Sequence, residues 1–141
     1  MPLHIKKLHP EATLPKYALP HDAGMDIFSN ETTFINPGER KLISTGISMA
    51  IPTGFVGLVW DKSGIASKHG IKTMAGVIDS GYRGEVKILV HNLSDKSFQV
   101  EKGSKIAQLL IQPVHQLEIT EVDELDNTER GAGGFGSTGE K

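Results

Sequence analysis

Asp79 and Tyr82 are the residues whose types and spacing are best suited to chemistry. They lie three positions apart in the glycine-bracketed stretch Ala75 to Glu85, which connects two apolar runs. A carboxylate and an aromatic ring on a short connection suit recognition of a small ligand together with general-base chemistry, because loops held by a rigid scaffold commonly carry function. A structural explanation is also open, since an Asp on a turn most often serves the turn and a Tyr most often packs in the core.

A second glycine-rich stretch, Arg130 to Gly139, contains one arginine and one phenylalanine, Phe135. The arginine could clamp an anion and the ring could cover a flat group, and nucleotides are both anionic and flat. Composition alone equally allows a disordered linker, although a linker has little reason to carry an aromatic ring. Residues Gly131 to Gly136 fit G-x-G-x-x-G, but this close to the end of the chain they do not open a helix after a strand, so no dinucleotide fold is indicated.

The segment Asp61-Lys62-Ser63-Gly64 and the carboxylate of Asp26 are further candidates. The segment partly resembles a phosphate loop, but an aspartate precedes the lysine where a Walker A loop needs glycine. An ammonium and a hydroxyl at a predicted helix start remain, and phosphate binding and a simple helix cap are equally open. Asp26 lies in an apolar run, where a buried carboxylate needs a partner, so it is either satisfied in the core or part of a site.

Composition and charge exclude several classes of function. The 141 residues fit one domain, which can bury a sufficient core without metal or disulfide. With no Cys there is no thiolate nucleophile and no Cys-bearing zinc site, and the six His lack metal-site spacing. A net charge of −2 with interspersed signs predicts no binding of a nucleic-acid polymer. No apolar run suits a signal peptide or a membrane span, so we expect a cytoplasmic protein without membrane contact.

Glycines and prolines separate short apolar runs rich in β-branched residues, and this pattern predicts an all-β sandwich or barrel. Residues Glu85 to Asn92 give the clearest signal, because apolar and polar side chains mostly alternate there as in a strand with one buried face. The predicted strands are Ile5 to Leu8, Met25 to Ser29, Lys41 to Met49, Phe55 to Trp60, Gly76 to Ile78, Glu85 to Asn92, Phe98 to Val100, Lys105 to Pro113 and Leu117 to Thr120.

One short helix and a terminal arm complete the predicted organisation. Ser63 to Gly70 predicts the helix, with Ser63 as its cap and Gly70 as its end. After Leu125 the chain becomes polar and glycine-rich, without an apolar period. We therefore expect a β core over residues 1–125 and a flexible arm over residues 126–141.

Five segments, taken together and in order, resemble the five motifs of the trimeric dUTPase (deoxyuridine 5′-triphosphate nucleotidohydrolase) family: Ala23 to Ser29, Asp61 to Ser67, Ala75 to Glu85, Gly103 to Leu109 and Arg130 to Gly139. The resemblance covers nearly the whole chain. It implies a jelly-roll-like β fold, a homotrimer with sites shared between subunits, Mg²⁺ as cofactor, and hydrolysis of dUTP to dUMP and pyrophosphate. That reaction keeps uracil out of DNA and supplies dUMP for thymidylate synthesis.

The resemblance also implies a role for each matching residue. Asp79 would deprotonate the water that attacks the α-phosphorus, and Tyr82 would pack under the deoxyribose. Asp26 would reach metal-bound water, while the metal itself would sit on the phosphates without a direct protein ligand. The residues implied to read the uracil are Gly76, Val77 and Ile78 through their main chain, Lys87 on the facing strand, and Thr73. The residues implied to hold the triphosphate are Lys62, Ser63, Gly64 and Gln108, and those implied to close over it are Arg130, Phe135, Gly136 and Ser137.

Three departures from the family pattern involve four positions. Asp61 and Lys62 stand where the family usually has a small residue or Pro and then Arg, so a bidentate phosphate contact becomes a point charge. Gly81 replaces a frequent Asp, which loosens the turn. Thr73 replaces an Asn that often helps to read the base, so a side-chain contact with uracil is in question.

Two other functions compete with dUTP hydrolysis. The related dCTP deaminases share the fold but have a different second motif and lack a phenylalanine-bearing, glycine-rich lid. A non-catalytic trimeric module could instead keep nucleotide binding as a switch for a protein partner. The arm around Phe135 argues against the first, and the presence of both Asp26 and Asp79 argues against the second.

Overall fold

The protein is all-β, as predicted, in a computed structural model that describes residues 1–139. Eleven strands and one short helix lie within that range. The strands are β1 (His4–Lys7), β2 (Met25–Phe28), β3 (Thr33–Ile35), β4 (Arg40–Ser44), β5 (Ile47–Ala50), β6 (Phe55–Trp60), β7 (Ile71–Met74), β8 (Val77–Ile78), β9 (Lys87–Asn92), β10 (Phe98–Val100) and β11 (Lys105–Pro113). The helix, α1 (Ser63–His69), connects β6 to β7.

The strands form four antiparallel sheets around a single apolar core. The larger two have the strand orders β2-β11-β6-β8 and β4-β9-β7, and the pairs β1-β5 and β3-β10 complete the set. Ile27 and Leu109 from the first sheet meet Ile43 and Ile88 from the second in this core, and all four are essentially inaccessible to solvent. Burial of these branched side chains supplies the main drive for the two sheets to pack together.

Local sequence patterns explain several of these strands directly. In β9 the side chains of Ile88 and Val90 are buried while Lys87 is exposed, so the predicted alternation is confirmed. All four residues of β2 are buried, which agrees with its continuous apolar character apart from Asp26.

Two strand predictions need correction, and two strands were missed. The run Lys41 to Met49 is two strands rather than one, because the chain turns at Thr45 and Gly46, where Gly46 has a φ of 69°. The predicted strand Leu117 to Thr120 is wrong, since it has no partner strand within the described residues and is exposed to solvent. Strands β3 and β7 were not predicted.

The N-cap of helix α1 lies one residue earlier than predicted. Lys62 occupies the N-cap position with extended backbone and no side-chain hydrogen bond, so the assignment of Ser63 as the cap is wrong. Gly70 ends the helix in the left-handed conformation with a φ of 67°, as predicted. Within the described range, no helix combines the length and apolar character needed to cross a membrane.

The C-terminal segment contributes little to the core. Its described residues 126–139 form turns but neither strand nor helix, and Phe135 is fully exposed. Glu140 and Lys141, the last residues of the predicted arm, lie outside the described residues. The last strand already ends at Pro113, so the predicted boundary at Leu125 stays a proposal.

Candidate active site

The connection from β8 to β9 borders a cavity of about 400 Å³. Asp79 and Tyr82 both line it, and both are exposed to solvent. Gly76, Val77, Ile78 and Lys87, which the sequence also assigned to ligand binding, line the same cavity. We call the β8–β9 connection the hairpin and this space the hairpin cavity, although β8 and β9 lie in different sheets and do not pair with each other.

The backbone beside the hairpin cavity has an open edge. Strand β8 pairs with β6 on one side only and ends its sheet, so among residues 1–139 the main-chain groups on its other side have no strand partner. Gly76 precedes the strand with a φ of 103°, and a Cβ there would lie 3.0 Å from the carbonyl oxygen of Val59. Only glycine therefore lets the chain pass this close to β6, and the open edge can offer donors and acceptors to a flat polar ring.

Glu85 anchors the hairpin to the turn between β4 and β5. Its carboxylate accepts hydrogen bonds from the Ser44 hydroxyl and, at 3.0 Å, from the Gly46 N–H. Its carbonyl oxygen accepts a 2.8 Å hydrogen bond from the Tyr82 hydroxyl. Burial alone would raise the pKa of Glu85, but the Ser44 and Gly46 hydrogen bonds outweigh it and leave that pKa lowered. The anchor was missed because its partners lie far away in sequence.

A second group of candidate residues surrounds Asp26. This carboxylate is only 3% exposed, and the Lys62 ammonium lies 2.5 Å from its Oδ1. Lys105, which the sequence did not single out, lies 3.2 Å from Oδ2 without making a hydrogen bond, so Oδ2 keeps a free acceptor position. Burial opposes ionisation of Asp26, but the two lysines more than compensate and lower its pKa. Asp26 is thus a paired carboxylate that still has acceptor capacity.

Gln108 joins this group from the neighbouring strand β11. Its Nε2 donates a 2.8 Å hydrogen bond to the carbonyl oxygen of Asp61. Together with Ser63 and Trp60, Gln108 lines a broad cavity of about 770 Å³, which we call the phosphate-side cavity. Gly64 lies beside it as an exposed residue of the first helical turn.

Thr73 does not line the hairpin cavity. It is buried, and its Oγ1 donates a 2.6 Å hydrogen bond to Oδ1 of Asp61. The structure therefore directs the Thr73 hydroxyl to a carboxylate of its own chain.

The described part of the arm lines neither cavity. Arg130 donates a 3.4 Å hydrogen bond from Nη1 to the carbonyl oxygen of Gly133, and Ser137 donates its N–H to Gly134 at 3.1 Å. Phe135 and Gly136 are exposed and have positive φ values of 51° and 86°. One chain thus carries three groups of candidate residues in three places: the hairpin cavity, the phosphate-side cavity and the arm.

No cluster of three or more His, Asp or Glu side chains suited to a metal ion occurs among residues 1–139. In that range, any cation would need most of its oxygen ligands from a bound molecule or from water.

The lowered pKa of Glu85 predicts acid sensitivity of the hairpin anchor. A carboxylate whose pKa is lower in the folded state stabilises above its unfolded-state pKa, about 4.3 for Glu, and this stabilisation disappears as the pH falls through the folded-state value. We expect Glu85→Gln to reduce the free energy of unfolding by about 1–2 kcal/mol at pH 7 and by much less at pH 3. Urea unfolding at both pH values checks this, with the exposed Glu101→Gln as control. Equal losses at both pH values would contradict the assignment.

Comparison with known proteins agrees with these features. The dUTPase family model matches residues 10–139. The deoxyuridine 5′-triphosphate nucleotidohydrolase of Clostridium kluyveri is 52% identical over 141 residues, covering 99% of both chains. A dUTPase variant of Staphylococcus bacteriophage 80alpha, solved with dUpNHpp, gives a TM-score of 0.93 at 34% identity and covers 98% of both chains. A dUTPase variant from phage phi11 of S. aureus, described with a structural Mg(II) ion, gives a TM-score of 0.85 at 30% identity and covers 90% of this chain and 100% of that chain.

The chain therefore belongs to the dUTPase family. Its fold is jelly-roll-like, as the sequence resemblance implied.

Proposed function

We propose that this enzyme hydrolyses dUTP to dUMP and pyrophosphate by attack of water on the α-phosphorus. The observation that carries the proposal is the near full-length match to dUTPases, combined with a carboxylate and a tyrosine at an open backbone edge. Removing dUTP in this way keeps uracil out of DNA and supplies dUMP for thymidylate synthesis.

Asp79 acts as the general base in this proposal. It lies on the hairpin rather than in a strand, and it is open to solvent, so a water molecule can reach it. Tyr82 packs under the deoxyribose, because its hydroxyl is held by the Glu85 carbonyl and its ring borders the same cavity. One short hairpin thereby sets both the orientation of the sugar and the position of the general base, Asp79.

The open edge of β8 reads the base. Main-chain groups at Gly76, Val77 and Ile78 offer donors and acceptors at fixed positions, as a pairing base would. Lys87 contributes from the facing strand β9. Recognition through backbone groups is rigid, so a pyrimidine with a different pattern of donors and acceptors leaves polar groups unpaired.

The triphosphate binds at the phosphate-side cavity. Ser63 and Gln108 line this cavity, and Lys62 and Gly64 are the chain neighbours of Ser63. Arg130, Phe135, Gly136 and Ser137 close over the nucleotide when the arm folds down. Lys62 is already neutralised by Asp26, so the triphosphate shares or displaces an existing ion pair. We expect a weaker phosphate contact from this point charge than from an arginine fork.

Magnesium fits this arrangement as an ion carried by the substrate. The free acceptor position of Asp26 Oδ2 suits a hydrogen bond from metal-bound water, while Lys62 and Lys105 disfavour direct coordination by that carboxylate. Bound Mg²⁺ would stabilise the negative charge of the phosphates and of the leaving pyrophosphate.

The cytoplasmic location expected from the sequence stays a prediction.

A homotrimer with shared sites accounts for the separation of the candidate residues. Leu117, Ile119 and Leu125 are each more than four-fifths exposed, which is unfavourable for an isolated chain and suits burial against another subunit. The hairpin of one chain and the arm of another would then complete one site.

Subunit mixing tests this assembly. An Asp79→Asn chain and a chain truncated after Leu125 are each expected to be nearly inactive alone. If hairpin and arm come from different chains, random exchange gives about a quarter of sites with both parts intact, and dUTP turnover returns to that extent. If both parts came from one chain, every site would carry a lesion. Exchange is verified by mass spectrometry of the mixed oligomers, and absence of recovery after proven exchange contradicts the shared site.

Pyrophosphate release across dUTP, dCTP, dTTP and UTP tests the function itself. We expect release from dUTP in preference to the others by at least about 100-fold in kcat/KM, because the competing nucleotides leave polar groups unpaired or clash. Ammonia release from dCTP would instead indicate a deaminase. Binding of dUpNHpp without turnover of dUTP would indicate a non-catalytic nucleotide sensor.

A further inference from the structure

Asp61 lies at a junction of three strands beside the phosphate-side cavity. Its Oδ1 accepts hydrogen bonds from both the Thr73 N–H, at 2.7 Å, and the Thr73 hydroxyl, at 2.6 Å. Its Oδ2 accepts a 2.9 Å hydrogen bond from Lys72. Its carbonyl oxygen accepts a hydrogen bond from the Gln108 side chain. One residue at the end of β6 therefore contacts both β7 and β11.

The contacts with Thr73 are better protected than the contact with Lys72. Thr73 is only 7% exposed, whereas about half of the Lys72 side chain is open to solvent. Burial would raise the pKa of Asp61, but the two Thr73 hydrogen bonds and the Lys72 ammonium lower it, so the carboxylate is ionised at neutral pH. Hydrogen bonds from a buried group to an ionised acceptor are stronger than a solvated ion pair.

The residue pair also links two departures from the family pattern. Asp61 replaces a small residue or Pro, and Thr73 replaces an Asn, and the structure places these two side chains in direct contact. Asp61 immediately precedes Lys62, and its carbonyl orients Gln108. A displacement of Asp61 would therefore move two groups that are proposed to bind phosphate.

We propose that Asp61 is a positioning residue for the triphosphate, with Thr73 as its anchor on β7. The pair fixes the backbone at the end of β6, so that the Lys62 ammonium and the Gln108 amide keep their places beside the phosphate-side cavity. The inference rests on the proposed function, because it assigns the phosphates of dUTP to that cavity.

An electrostatic role and a positioning role of the Asp61 carboxylate predict opposite changes in phosphate affinity when the carboxylate is removed. An anion next to bound phosphates repels them, so an effect of charge alone would strengthen binding when the carboxylate is removed. Loss of positioning would weaken binding, because displaced Lys62 and Gln108 could no longer make well-aligned hydrogen bonds to the phosphates. We expect Asp61→Ala to raise the Kd of dUpNHpp by about 10-fold or more and to raise KM for dUTP in parallel.

Three companion measurements make the interpretation specific. Asp61→Asn keeps an oxygen that can accept both Thr73 hydrogen bonds, and we expect it to restore the Kd of dUpNHpp to within about 3-fold of wild type. Thr73→Val removes only the hydroxyl and should weaken binding less than Asp61→Ala. The double variant Asp61→Ala/Thr73→Val should bind no more weakly than Asp61→Ala alone, because the partners act as a unit.

Binding is measured on the full chain by the fluorescence of Trp60, the only tryptophan, which lines the phosphate-side cavity. The ligands are dUpNHpp, dUMP and inorganic triphosphate. We expect Asp61→Ala to raise the Kd of dUpNHpp and of inorganic triphosphate. The Kd of dUMP should stay within about 2-fold of wild type, since dUMP lacks the outer phosphates. The matched control is Thr33→Val, which removes a hydroxyl bound by Lys41 on β4. This control should leave the Kd values of all three ligands unchanged.

The results separate this inference from the proposed function. Unchanged or tighter binding of inorganic triphosphate to folded Asp61→Ala, or failure of Asp61→Asn to restore it, overturns the positioning role. A wild-type enzyme that does not turn over dUTP overturns the proposed function instead. Inorganic triphosphate still decides the role of Asp61 in that case, because its binding does not depend on the nucleoside.

Discussion

Asp79→Asn should reduce kcat for dUTP by about 10²–10⁴-fold, because an amide keeps the size of the carboxylate but cannot take a proton from water. Asp79 is exposed on the hairpin, so the substitution should leave the thermal unfolding temperature nearly unchanged. The Kd of dUpNHpp should also stay within about 3-fold of wild type, since a general base contributes mainly in the transition state. Steady-state kinetics and a fluorescence titration measure the two quantities separately.

The exposed Asp95→Asn provides a matched control, because it makes the same chemical change in the β9–β10 connection. It should have wild-type kcat. Near-normal turnover in Asp79→Asn would remove this carboxylate from the mechanism. A large rise in Kd without loss of kcat would reassign it to substrate binding.

Truncation after Leu125 should cost about 100-fold or more in kcat/KM, because the nucleotide loses both a cation for its phosphates and a ring for its base. The unfolding temperature should change little, since residues 126–139 add no strand, no helix and almost no buried surface. Calorimetry and dUTP kinetics on the same preparations check both statements.

Phe135→Ala in the full chain separates stacking from charge. Phe135 is fully exposed, so this change cannot disturb the core. We expect it to reproduce only part of the loss caused by truncation, because Arg130 remains. Full activity of the truncated chain would show that the arm is only a linker, and a large fall in its unfolding temperature would show that the arm belongs to the folded core.

The sequence predicted what depends on neighbouring residues. Alternation of side chains identified β9, and glycine spacing identified the connection that precedes it, because both are properties of a few consecutive positions. That connection joins two sheets rather than two paired strands, because β8 pairs with β6 while β9 pairs with β4 and β7. Apolar composition was also sufficient for β2, whose four residues are all buried. The all-β class follows from such local signals repeated along the chain.

Contacts between distant residues could not be predicted in the same way. Glu85 meets Ser44 across 41 positions, and Asp26 meets Lys62 across 36, so no local pattern records either pair. Lys105 was not singled out in the sequence, because it reaches Asp26 only through the pairing of β11 with β2. The error at Leu117 to Thr120 has the same origin, because apolar alternation reports that a segment can form a strand but not that a partner exists.

The short length of β8 has a consequence for self-association. An unpaired strand edge is a template on which another chain can add a strand, and long flat edges promote aggregation for that reason. β8 comprises two residues, Val77 and Ile78, and the glycine before it has a backbone conformation that does not continue a strand. The edge is therefore too short to serve as a template on which a second chain could add a strand.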